Sequence, residues 1–327
     1  MEEETYSGTG IGVVQDLPSL VFLGTPDFAV RSLQKLVEAG AELRLVVTQP
    51  DRARGRGRKV VPPPVKVLAQ KLDIPVFQPQ RLRTAEAVER VASLGAECLV
   101  VVAYGQLLPQ ELLDQVSYGA INVHASLLPR YRGAAPIQRA LLAGERATGI
   151  SIMLLDAGMD TGPVLHQQAL PIDERDTGGS LHDKLASLGA ELLVATLKLW
   201  KARRVAPVAQ DGSLASFAPP IRKEETRMNW NQEARQIVNH VRALDPSPGA
   251  HCQYQGQRIK CFGASLLPWK GQGKAGEIMG VAETGLVVLG DDQQALSIGT
   301  LQLDGHRRLA AGDFLSGHEM PQGTCLE

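Results

Sequence analysis

The chain has 327 residues, 44% of them hydrophobic and 21% charged, with a formal net charge of -1 at pH 7. That length and apolar content suit two domains with a sizeable core and exclude a disordered polymer. The balanced charge excludes a global basic field, so nucleic-acid binding must use local patches, and 4% aromatic residues argue against a base-stacking sheet.

Residues 1–19, MEEETYSGTGIGVVQDLPS, are acidic and lack the basic region of a signal peptide, so they read as a disordered extension. From Leu20 onward strands alternate with helices. LVFLG is a short apolar strand, and PDFAVRSLQKLVEAG has helical spacing at Phe28, Leu33, Leu36 and Val37. ELRLVVT and IPVFQ read as strands, and TAEAVERVASLG as a helix. ECLVVVAYG reads as a strand covered on both faces. GAINVH, TGISIMLLD and an edge strand VLHQQALPI follow, with the helix APIQRALLAG between the first two and the long helix GSLHDKLASLGAELLVATLKLW after them. The alternation predicts an α/β fold over 20–205, a doubly wound, mostly parallel sheet. Residues 206–221 are rich in proline and small residues and read as a linker. Short alternating segments broken by Gly and Asp then predict a small β-barrel over 222–327.

Four cysteines, at 98, 252, 261 and 325, form no C-x-x-C pair and have no His at ligand spacing. They imply a reducing, cytoplasmic compartment without a disulfide framework or a metal site. No apolar run is long enough to span a membrane. There is no nucleophile elbow and no phosphate-binding glycine loop.

The chemistry concentrates in INVHASLLPRYRGAAPIQ, residues 121–138. Asn122 and His124 are two apart on a strand, so they share a face, at a strand end where open α/β sheets bind ligands. An amide donor beside an imidazole suits a developing oxyanion. A carboxylate is needed to fix the imidazole tautomer or hold it protonated. Asp160, in LLDAGMDTGPVL, is the candidate, and Asp156 is the alternative. Arg130 and Arg132 flank Tyr131 and read as contacts for a phosphate or an acidic tail. Arg52, Arg54, Arg56, Arg58 and Lys59 stand against one acid, Asp51, in a glycine-rich loop. A second basic set comprises Arg222, Lys223, Arg227, Arg235, Arg242, Arg258, Lys260, Lys270 and Lys274. The second set reads as sequence-independent phosphate contacts, and the loop, with glycines at 55 and 57, reads as a mobile basic segment on the ligand side of the second strand.

VFLGTPDFAV, TQPDRARGRGRKVVPPPVK, NVHASLLPRYRGAAPIQRALLAGERATGISIMLLDAGMDTGPVL and the linker-plus-barrel tail resemble the methionyl-tRNA formyltransferase family, within the wider formyltetrahydrofolate-dependent transferases. The resemblance runs from about Leu20 to the C-terminus. It implies a Rossmann-like catalytic domain and an OB-like barrel that binds tRNA. The formyl group of 10-formyltetrahydrofolate would move to the α-amine of methionyl initiator tRNA in translation initiation. By the same resemblance Ser126, Leu127, Leu128 and Pro129 contact the folate, and Arg56 enters the acceptor stem beside a weak first pair. Asn122 and His124 would stabilise the oxyanion, with Asp160 behind His124. A cytoplasmic monomer with no membrane partner is expected. The other readings are a folate-dependent formyltransferase for a small amine, such as an amino sugar or ribonucleotide, and a catalytically silent tRNA-binding protein.

Overall fold

A computed structural model describes residues 16–54 and 59–327. The extension read over 1–19 therefore lies outside the described residues up to position 15, and at its end Leu17 and Ser19 are buried. The chain forms two compact units, one of residues up to Ile121 with Leu193–Ala206, the other of Asn122–Leu192 with Pro207–Glu327.

The first unit contains β1 (Leu20–Gly24), α1 (Asp27–Glu38), β2 (Leu43–Val47), β3 (Arg52–Arg54), β4 (Lys59–Val61), α2 (Pro64–Lys71), β5 (Val76–Phe77), α3 (Ala85–Ala92), β6 (Cys98–Val102) and α4 (Gln110–Leu113). β1 pairs in parallel with β2 and β6, and β2 pairs in parallel with β5. Every residue of β1 and β6 is buried. This is why both read as unbroken apolar runs, without alternation. Gly24 ends β1 because a Cβ there would lie 2.7 Å from the Phe22 ring and 2.8 Å from the Ala29 methyl. The Thr84 side chain caps α3 by accepting from the Ala87 N–H.

The basic loop is a two-stranded antiparallel ribbon, β3 against β4, with Arg52 opposite Val61 and Arg54 opposite Lys59. Arg56 and Arg58 lie outside the described residues. Among the described residues Asp51 is bound by Lys66 and Gln78. Its carboxylate accepts from Gln78 at 2.7 Å and from Lys66 at 2.8 and 2.9 Å, and these bonds, Gln78 first, hold its pKa below the ordinary value.

β7 (Ala120–His124) leads into α5 (Pro136–Leu142), β8 (Ala147–Leu154), β9 (Val164–Pro171) and α6 (Gly178–Lys201). Within the first unit the strands run in the order β5-β2-β1-β6. β9 is the antiparallel partner of β8, as the edge-strand reading expects.

Residues after 206 form α7 (Ala234–Leu244), β10 (Ala250–Tyr254), β11 (Gln257–Leu267), β12 (Ile278–Ala282), β13 (Gly285–Leu289), β14 (Ala295–Leu303), β15 (Leu309–Ala310) and α8 (Ala311–Gly317). The strands make an antiparallel sheet in the order β10-β11-β14-β13-β12, with β15 on β14. Its core holds Ile237, Val241 and Leu244 of α7 with Ile259, Leu286, Ile298 and Phe314. The last residues close the gap between β10 and β12. Gln253 and Glu327 exchange backbone hydrogen bonds of 2.7 and 2.8 Å, while Leu326 N donates to Gly276 O and Ile278 N to Thr324 O. With the tail as a stave, the sheet becomes the expected barrel.

Candidate active site

All five residues of β7 are buried. Asn122 is 9% exposed, and its amide has no hydrogen-bond partner among the described residues. Its amide atoms are not sealed from solvent, so the donor stays open to water or to a ligand. His124, 5% exposed, is engaged at both ring nitrogens. Nε2 lies 3.0 Å from Tyr131 O, and Nδ1 lies 3.6 Å from Asp160 Oδ2. A backbone carbonyl can only accept, and so can the Asp160 carboxylate, so each ring nitrogen of His124 faces an acceptor. Asp160 Oδ2 also accepts from the Gly133 N–H at 2.8 Å.

Tyr131 and Asp160 both have left-handed backbones, with φ of 60° and 53°. Such conformations cost about 1–3 kcal/mol each and persist only where surroundings over-determine them. Here the surroundings are a dense polar frame. Ser126 Oγ donates to Arg130 O at 2.7 Å, Ser151 Oγ donates to Ser126 O at 2.7 Å, and Leu128 N donates to Ser151 Oγ at 3.0 Å. Gln167 Nε2 donates to Leu128 O at 2.8 Å. Residues 126–129 are therefore a rigid turn with Ser126 and Leu128 inside and Leu127 and Pro129 half-buried. Gly149 makes room for it. A Cβ there would sit 2.6 Å from the Leu127 side chain and 2.2 Å from Gln168 O.

Asp156 is exposed and stands apart from His124. Its Oδ1 accepts from Gly158 N at 3.0 Å and Thr161 Oγ1 at 2.7 Å, a local turn within the loop. The flanking arginines differ from the sequence reading. Arg130 pairs with Glu145, and that bond raises the arginine's pKa. Tyr131 Oη donates to the same carboxylate at 2.7 Å, and burial, ahead of that bond, pushes its phenol up to about 12. Arg132 is buried and donates to Gln210 Oε1 at 3.1 and 2.7 Å. Neither guanidinium is uncommitted.

The segment read as a linker is anchored along its length. Val208 exchanges two 2.8 Å backbone bonds with Val164 of β9. Ser216 O and Ala218 O accept from Arg132 N and Ala135 N, and Ser216 Oγ accepts from Tyr131 N at 2.9 Å. Gln210 and Ser216 are the polar residues missed by sequence reasoning. A single Gln or Ser in an aperiodic stretch carries no signal by which to find it.

The second basic set divides. Arg222, Lys223, Arg227, Arg235, Lys270 and Lys274 are exposed. Arg242 is buried, its guanidinium donating to Asp176 O and Asp173 O at 2.7 Å each, so it is a structural tie and no phosphate contact. Arg258 donates to His251 Nδ1 at 3.2 Å and lies 3.8 Å from Asp304.

Comparison with known proteins agrees with this architecture. Residues 19–197 match the family model described as formyl transferase, and residues 220–319 the one described as formyl transferase, C-terminal domain. A methionyl-tRNA formyltransferase of Pelotomaculum thermopropionicum is 47% identical over 308 residues, covering 94% of this chain and 98% of the relative. Two solved structures share the fold at 17% identity. Methionyl-tRNA formyltransferase from Clostridium thermocellum has a TM-score of 0.55 over 77% of this chain and 94% of its own. HypX from Aquifex aeolicus in complex with tetrahydrofolic acid has a TM-score of 0.63 over 91% of this chain and 47% of its own. On the matches to both formyl transferase models and the near-full-length identity, the chain belongs to the methionyl-tRNA formyltransferase family.

Proposed function

We propose that this chain transfers the formyl group of 10-formyltetrahydrofolate to the α-amine of methionyl initiator tRNA, with Asn122, His124 and Asp160 as its working groups. One observation carries the residue assignment. An Asn122 amide without a partner among the described residues, still open to solvent at the end of a buried strand, stands two residues from an imidazole whose Nδ1 lies 3.6 Å from a carboxylate. The cosubstrate supplies the formyl carbon that the amine attacks. The Asn122 N–H stabilises the oxyanion that develops there, a contribution of about 2.7–4 kcal/mol for one such donor. His124 takes the amine's proton and Asp160 holds the resulting imidazolium; the tetrahedral centre then collapses, its bond to the folate nitrogen breaks, and that nitrogen leaves with the proton His124 returns.

The turn Ser126–Leu127–Leu128–Pro129 holds the folate, for which the half-buried Leu127 and Pro129 present apolar surface beside the Asn122 strand. No metal takes part in this scheme. Arg52, Arg54 and Lys59 of β3 and β4, with Arg56 and Arg58 of the same basic segment of the sequence, contact the acceptor stem. Residues 222–327 add phosphate contacts through the exposed members of the second basic set. Residues 20–205 are the catalytic domain, 206–221 join it to the barrel, and 1–19 are an extension. The chain acts in the cytoplasm as a monomer. Among the described residues no helix is long and apolar enough to cross a membrane.

The test is incubation with 10-formyltetrahydrofolate and charged initiator or elongator methionine tRNA. Formylmethionine should form on the initiator and far less on the elongator. Formylation of a nucleotide amino sugar with neither tRNA modified would replace this reading with the small-amine one.

A further inference from the structure

Gln210 lies in the proline-rich strap outside the 121–138 signature and both family-model matches. Its amide nevertheless meets four groups of the site. Nε2 donates to Asp160 O at 2.9 Å and to Gly162 O at 2.7 Å. Oε1 accepts from Arg132 Nε at 3.1 Å and from the second Arg132 nitrogen at 2.7 Å. All the donor and acceptor capacity that an amide can direct in one plane is used.

These bonds join the two loops that must be in register for His124 to meet a carboxylate. Arg132 precedes Gly133, whose N–H holds Asp160 Oδ2. Asp160 sits in a left-handed backbone, so its carbonyl direction depends on what it binds. Gln210 fixes that carbonyl from one side, and Gly133 fixes the carboxylate from the other. We propose that Gln210 is a positioning residue for formyl transfer, acting through Asp160. It sets the carboxylate's approach to His124 Nδ1 without touching substrate. This assignment rests on the reading of Asp160 given above.

Gln210→Glu separates the two halves of the contact. A carboxylate keeps the Arg132 partner but presents oxygen to Asp160 O and Gly162 O, where only a donor fits. Gln210→Ala removes both halves. With charged initiator tRNA and 10-formyltetrahydrofolate, both variants should lower kcat by about tenfold or more, with each KM within about twofold of wild type. Rates are taken per folded molecule, from a thermal melt of each variant. The deciding measurement is the cycle with Asp160→Asn. A residue acting through Asp160 adds little once Asp160 is neutralised, whereas an independent structural loss multiplies through. Gln210→Ala in the Asp160→Asn background should therefore cost less than about twofold further. An unchanged kcat in Gln210→Glu, or full multiplication in the double variant, overturns the proposal. A wild-type chain that formylates no tRNA overturns the functional reading itself. An Asp160→Asn chain as active as wild type overturns the part played by Asp160, and with it this one.

Discussion

The carbonyl oxygen of Tyr131 accepts a hydrogen bond from His124 Nε2 at 3.0 Å, so the imidazole closes its own loop. The other ring nitrogen, Nδ1, lies 3.6 Å from Asp160 Oδ2. Asp160→Asn keeps an oxygen for the Gly133 N–H but removes the negative charge. It should lower kcat on the order of 10²–10⁴-fold while leaving the affinity for a folate analogue within about twofold. Steady-state turnover and analogue titration check this. Near-wild-type turnover would remove Asp160 from the mechanism.

Arg56→Ala should be the most selective lesion in the basic segment 52–59. A side chain that only neutralises phosphate weakens all tRNAs alike, while one wedged beside an opened pair helps only where pairing is already weak. Arg56→Ala should depress kcat/KM on the initiator and much less on an elongator, whereas Arg52→Ala and Lys59→Ala should lower both together. Equal ratios across all three variants would place discrimination elsewhere.

Arg139 donates to both oxygens of Glu225, at 2.6 and 3.1 Å, and the Arg222 N–H adds a bond of 2.9 Å. Chiefly through Arg139, the Glu225 carboxyl is drawn from 4.5 down to about 2. The folded carboxyl is the stronger acid, so its stabilisation is full above about 4.5 and is lost as pH falls towards 2. Urea unfolding of wild type and Glu225→Gln should therefore differ near neutrality and converge only as pH approaches about 2. A gap that stays constant with pH would mean that the pair contributes through packing.

Leu326 is 4% exposed within the barrel core, carried by the tail that bridges β10 and β12. Leu326→Ala should destabilise by about 2–5 kcal/mol in chemical denaturation. A loss under about 1 kcal/mol would show that the tail is dispensable to closure.

Much of this was legible because its cause is local. The apolar runs of β1 and β6, the capped α3 and the Asn122–His124 spacing all follow from side chains a few residues apart. Asp160 could be preferred to Asp156 only by its distance from the strand end, and the structure supplies the reason, since Asp156 binds its own loop at Gly158 and Thr161. Arg242 was misread because a guanidinium on a helix looks solvated. It is buried against the carbonyls of Asp173 and Asp176, 69 and 66 residues away. Gln210 and the Gln253–Glu327 pairing were invisible for the same reason. Their partners lie far along the chain, and neither carries a periodicity.

The strap bears on how this protein can be recombined with its relatives. Its composition invites a crossover at residue 206, as though two modules met there. A chimera cut at that point would import Gln210, Ser216 and Ala218 from another parent and set them against a resident Tyr131–Ala135 loop they had not been selected with. A crossover after Pro220 keeps those partners together, although Arg139 and Glu225 must then be matched as a pair. Grafted barrels should accordingly preserve turnover from the later junction and lose it from the earlier one, even where both chimeras fold.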